Sequence, residues 1–183
     1  MTIEIREINI EKGWRTAGGG LGNNTFGDYL ALLHSELSEA LEAYRDHRLA
    51  DATDYDNGDP CADPVGHKHK PEGVGSEFAD VLIRVLDTCD VCGVQPFEND
   101  LALADVSPID GRYLQSFGDW IAWLHLLTAQ LGSNKLADDA AYLLRALVAT
   151  CEQFGIDLTA EYERKITYNR TRTYQHGGRT LVA

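Results

Sequence analysis

Positive charge is the scarcest commodity in this chain. Sixteen lysines and arginines face 29 aspartates and glutamates, leaving a formal net charge of −13. A field of that sign argues against broad binding to nucleic acid or to anionic membranes, since both need a positive surface. It still allows a small anionic ligand held through a metal, because a cation reverses the local sign. No apolar run is long enough to span a bilayer. No secretory signal is expected at the start either, where MTIEIREINIEKGW alternates charges with aliphatics. The four cysteines, Cys61, Cys89, Cys92 and Cys151, lack the spacing of a disulfide framework. Reduced thiols and a cytoplasmic setting are the expectation. No segment alternates as a strand.

What remains is ordinary globular material, 44% hydrophobic and 25% charged over 183 residues, enough for a single domain spanning 1–183. The fold class expected is all-α. Residues 3–14 suit a short helix or extended arm, followed by a Gly/Asn-rich loop at 16–28. Over 28–49 apolar residues recur at 30, 33, 37, 40, 41 and 44, the period of an amphipathic helix. The stretch 51–75 is polar and rich in Asp, Gly and Pro, which predicts a long loop. Helix is predicted again over 76–92, with Ser76 as N-cap and Glu77 in the first turn. Further helices are predicted at about 118–131, 136–154 and 158–170 by the same period.

The helices form an internal repeat, a hairpin at 27–94 and a second copy within 118–170. GDYLALLHSELSEAL (27–41) aligns with GDWIAWLHLLTAQLG (118–132), matching Gly27, Asp28, Ala31, Leu33 and His34 to Gly118, Asp119, Ala122, Leu124 and His125. EFADVLIRVLDTC (77–89) aligns with DDAAYLLRALVAT (138–150), matching Leu82, Arg84 and Leu86 to Leu143, Arg145 and Leu147. Acids do not survive the comparison: Glu36 meets Leu127, Glu39 meets Gln130 and Asp80 meets Ala141, and only Glu77 keeps an acidic counterpart, Asp138. The apolar frame persists while the acids vanish, which separates scaffold from chemistry.

Glu36 and Glu39 are one helical turn apart, and Glu77 and Asp80 repeat that spacing on the next helix. Antiparallel neighbours would gather all four carboxylates. Such a group repels itself unless a cation neutralises it. An all-oxygen set suits a hard ion, Mg²⁺ or Mn²⁺. Carboxylate di-iron bundles need Glu-x-x-His, which neither pair offers. Asp87 lies two turns beyond Asp80 and reads as a further ligand or, in preference, the partner of Arg84.

These motifs resemble those of the MazG-type, all-α nucleoside triphosphate pyrophosphohydrolases, a superfamily that includes the dimeric dUTPases. Glu36-x-x-Glu39 and Glu77-x-x-Asp80 resemble the family's acidic motifs, HKHKPEGVGSEFAD its loop-to-helix junction, and KITYNRTRTYQHGG its C-terminal Lys-x-x-x-Asn segment. The likeness covers 28–94 and about 161–178. It implies a helical bundle that cleaves NTPs or dNTPs to the monophosphate and pyrophosphate with Mg²⁺. It also implies Glu36, Glu39, Glu77 and Asp80 as metal ligands, and one of Glu39 and Glu36, Glu39 in preference, orienting or deprotonating water. Ser35 stands where many members carry another glutamate, and the spacer between motifs is long.

Hydrolysis of a triphosphate also needs positive donors. Lys165 and Asn169 share a helix face, with Arg172 just beyond, and suit phosphate or base contact. Trp14 could stack on a base or anchor the core. GGGLG (18–22) lacks a following Walker lysine and reads as a flexible connector. Cys61, His67 and His69 fit no standard zinc spacing, and Cys89-x-x-Cys92 lacks the βαβ setting of a redox motif. A nucleotide is the expected partner, and association into a homodimer stays open. Two other readings are a non-catalytic nucleotide- or metal-binding regulatory module and a structural interaction bundle.

Overall fold

The computed structural model describes residues 1–48, 70–96, 114–132 and 135–175. These form six helices: α1 (Thr2–Glu11), α2 (Phe26–Arg45), α3 (Val74–Val91), α4 (Phe117–Gln130), α5 (Leu136–Phe154) and α6 (Leu158–Thr171). No named strand occurs among the described residues; one isolated bridge joins Arg15 to Leu21. The described residues are all-helical in their regular structure, as the periodicity predicts. No helix among the described residues is long and apolar enough to cross a membrane. Cys61, His67 and His69 lie outside the described residues, with most of the 51–75 stretch. Cys89, Cys92 and Cys151 are free thiols.

Local chemistry fixes the helix ends. Thr25 starts α2 with a capping box: its Oγ1 accepts from the Asp28 amide at 3.2 Å, and Asp28 Oδ2 accepts from the Thr25 amide at 2.6 Å. Ser116 and Asp119 build the same box at the start of α4, with distances of 3.2 and 2.9 Å. Gly155, at φ +68°, ends α5 in the left-handed conformation that glycine adopts without penalty.

One departure concerns Ser76. It does not cap α3, which starts two residues earlier at Val74 with Gly73 as N-cap. The Val74 amide donates to the Arg48 carbonyl at 3.0 Å, so the turn before Ser76 is already engaged. The Ser76 hydroxyl is thereby free for the interior.

α2 packs along α3, α4 along α5, and the two pairs meet through α2–α4 and α3–α5 contacts. The apolar stripes close one core. Leu33, Leu37, Phe78, Val81, Leu124, Leu143 and Leu147 are completely enclosed. Tyr44, at the end of α2, stacks on Phe117, at the start of α4, with centroids 4.1 Å apart. At the α2–α4 contact His34 and His125 lie nearly parallel, their Nδ1 atoms 2.8 Å apart. α6 lies across α3, and α1 contacts both α3 and α6.

Candidate functional site

The packing of α2 on α3 decides where the acids go. Glu36, Glu39 and Glu77 each bring a carboxylate oxygen within 4.8 Å of the others. Glu36 and Glu77 are buried, at 6% exposure each, while Glu39 is exposed. The Glu77 carboxylate has no hydrogen bond or ion pair among the described residues. Burial, together with the charges of Asp80 and Glu36, pushes its carboxyl up to about 7 despite Lys165 and Lys70. Burial also raises Glu36, with Asp80 and Glu39 adding to the effect and Arg84 opposing it. Three crowded carboxylates with oxygen donors only, one of them enclosed and unpaired, fit a hard divalent cation.

Asp80 does not join that group of three. Its Oδ2 lies 2.7 Å from Lys165 Nζ. Lys165 is enclosed, at 1% exposure, and donates a second bond of 2.8 Å to Ser76 Oγ. Ser76 Oγ in turn donates a hydrogen bond to the Pro71 carbonyl at 2.8 Å. Burial opposes charge on Lys165, but Asp80, Glu77 and Glu36 outweigh it and hold the ammonium above its ordinary pKa. Lys165 is therefore an internal counter-charge to the acids, not an open side chain awaiting a ligand. The sequence pattern predicts Lys165 as a phosphate or base contact, whereas the structure turns it inward onto Asp80 and Ser76.

Arg84 is the residue that sequence reasoning misassigned. It does not pair with Asp87. Its Nε and Nη2 both converge on Glu36 Oε1, at 2.7 and 2.6 Å. Asp87 instead meets Arg15, whose Nη2 lies 2.7 Å from Asp87 Oδ1. Spacing along one helix suggests neighbours, but α2 and the loop after α1 bring stronger partners from outside it. Ser35, at the position where an acid was anticipated, donates to Glu39 Oε1 at 3.0 Å.

A cavity of about 230 Å³ is linked to the acids through Arg84, which lines it and bonds Glu36; Glu36, Glu39 and Glu77 do not themselves line it. Asp80 and Arg84 line it from α3, Asn169 and Arg172 from the end of α6, and Asn9 and Trp14 from the N-terminal segment. Asn169 and Arg172, anticipated as ligand contacts, thus share one wall, and Trp14 faces the same space. The Asn169 side-chain oxygen is buried and accepts no hydrogen bond. Arg172 also lies over the Tyr168 ring, at 5.7 Å.

The Trp14 segment is held firmly. Arg15, 4% exposed, also donates to Asp90 Oδ2 at 2.6 Å and to the Gly19 carbonyl at 3.0 Å. Arg6 pairs with the same Asp90. The glycine-rich stretch is therefore a pinned turn, closed by the Arg15–Leu21 bridge, and not a loose connector. The last described residue docks here too: the Gln175 amide donates to the Lys12 carbonyl at 2.8 Å. Gly13, at φ +77°, lies so close to the Tyr174 ring that any Cβ would overlap it. The two ends of the described chain are clasped at the cavity.

No family model, curated protein or solved structure matches this chain.

Proposed function

We propose that the chain is a Mg²⁺-dependent hydrolase of nucleoside triphosphates, releasing the monophosphate and pyrophosphate. The observation that carries this reading is the convergence of Glu36, Glu39 and Glu77 within 4.8 Å, joined through Arg84 to a cavity that Asn169, Arg172 and Trp14 also line. Acids alone would mark only a cation site. Acids linked through Arg84 to a cavity that holds guanidinium, carboxamide and indole groups suit a ligand that is anionic at one end and aromatic at the other. Mg²⁺, with Mn²⁺ as a substitute, would be held by Glu36, Glu39 and Glu77. When bound it would neutralise phosphate charge and make water more acidic.

The protein's own groups divide the remaining work. Glu39 is the better base, because it is exposed and carries only a serine hydroxyl, whereas Glu36 is already bonded by Arg84. Arg172 offers a guanidinium to phosphate oxygens, Arg84 the Nη1 edge left over from its bonds to Glu36, and Trp14 a face to the base. Lys165 keeps Asp80 in place.

The fold adds a second line of support. Capping boxes recur at aligned positions in α2 and α4, and the aligned His34 and His125 touch each other. Residues near a two-fold axis meet their own equivalents in this way. The second hairpin then stands where a partner subunit would stand in a dimer of single-hairpin chains, in keeping with a MazG-like bundle. Free thiols suit a cytoplasmic setting.

The test is a panel of NTPs and dNTPs with Mg²⁺, with monophosphate and pyrophosphate measured separately. Release of orthophosphate would sink cleavage between the α and β phosphates. A second reading, a nucleotide-binding module without turnover, is favoured by one observation, the grip of Arg84 on Glu36. Tight nucleotide binding with no product from any member of the panel would establish it instead.

A further inference from the structure

The acid cluster comes with its own cations, and they are unequal to it. Glu36 is matched by Arg84 at 2.6 Å and Asp80 by Lys165 at 2.7 Å. Glu39 and Glu77 have no cationic partner within ion-pairing distance among the described residues, leaving two negative charges uncompensated. Lys70 faces Glu77 electrostatically, but it is exposed, where water screens it. Glu77 provides the independent sign that a ligand belongs here. The residue is 6% exposed, and its carboxylate makes no hydrogen bond or ion pair among the described residues and brings an oxygen within 4.8 Å of those of Glu36 and Glu39. A buried carboxylate is not left unpaired without cost. Two of the three guanidinium nitrogens of Arg84, Nε and Nη2, converge on Glu36 Oε1, and no bond to Glu36 Oε2 occurs among the described residues.

From this balance we infer that the cluster holds one divalent cation at rest, and that Arg84 sets that number by cancelling the charge of Glu36. This rests on the metal-dependent reading above but goes beyond it. One doubly charged ion neutralises Glu39 and Glu77, and a second would bring excess positive charge into a half-enclosed site. Arg84 is thus a charge-setting residue for the cation, in addition to lining the cavity.

The experiment is a Mn²⁺ titration of the full chain at pH 8 without nucleotide, followed by electron paramagnetic resonance of the free ion and by calorimetry. One Mn²⁺ per chain is expected. Arg84→Gln keeps a hydrogen-bond donor for Glu36 but removes the charge, and should bind the ion about tenfold more tightly. Arg84→Lys should return affinity to the wild-type range. Two tight ions per wild-type chain would overturn the inference and leave the hydrolase reading intact. No Mn²⁺ binding would overturn both. Weaker binding by Arg84→Gln, with an unchanged helical signal, would mean that Arg84 only props Glu36 in place. Should that variant fold poorly, the wild-type stoichiometry decides alone.

Discussion

Lys165 Nζ lies 2.7 Å from Asp80 Oδ2, and the lysine is 1% exposed. The pair ties α6 to α3 and keeps Asp80 apart from the other three acids. Asp80→Asn would leave an enclosed ammonium without its closest partner. Breaking a buried pair costs about 3–5 kcal/mol, and the lower end applies here because Glu77 and Glu36 still face the ammonium. Asp80→Asn should therefore destabilise the chain by about 3 kcal/mol in urea unfolding. Combined with Lys165→Met it should cost less than the sum of the two single changes. Strict additivity would mean that the pair is not coupled.

Glu77 ties stability to pH with a definite sign. Its folded pKa, about 7, lies above the ordinary value of 4.5. The proton is bound more tightly in the folded state, so this contribution is complete below the unfolded pKa and is lost as pH rises through 7. In chelator, the Glu77 contribution should lower the melting temperature between pH 5 and 8. Glu77→Gln, which removes the buried charge, should flatten that decline and raise stability at pH 8. Added Mg²⁺ should stabilise the wild type at pH 8 but not the variant. A wild-type profile in chelator that matches the Glu77→Gln profile would contradict the assignment.

Glu39→Gln tests the chemistry with little effect on folding. The side chain is exposed and its one bond comes from Ser35. Activity with Mg²⁺ should fall by about 10²–10⁴, the usual contribution of a positioned base. Helical circular dichroism and melting in chelator should stay unchanged. A variant that keeps full activity would move the base elsewhere in the cluster.

Gly13 tests the clasp between the two chain ends. Gly13→Ala adds a Cβ that the Tyr174 ring already occupies, at a left-handed backbone position that costs alanine about 1 kcal/mol. The terminal segment should be displaced, and Trp14 and Arg172 should lose their setting. The expected result is a raised KM for nucleotide with little change in kcat. Tyr174→Ala in the same chain should recover part of the binding, because it removes the overlap. A loss confined to kcat would place the effect at the acids instead.

Much of this fold is legible in the primary structure because its signals are local. Apolar residues at helical period predict α2 through α6 to within a few residues, and the Thr25–Asp28 and Ser116–Asp119 boxes mark where α2 and α4 begin. Ser76 misleads for the opposite reason. A serine before an acidic turn reads as a cap, but the tertiary structure starts the helix at Val74, with Gly73 as N-cap, and spends the hydroxyl on Lys165. Arg84 and Asp87 likewise look like partners at helical spacing, until α2 delivers Glu36 and the α1 loop delivers Arg15.

The sequence by itself determined the all-helical class, the doubled hairpin pattern and the placing of acids at the edge of two apolar stripes. Those are properties of periodicity, and periodicity is carried by neighbours a few residues apart. Only the tertiary structure decided which acids converge, which are already neutralised and which side chains face the cavity. Those depend on the rotation of each helix about its axis and on contacts between residues as distant as Ser76 and Lys165. Core packing sets that rotation as a whole, and no single spacing encodes it.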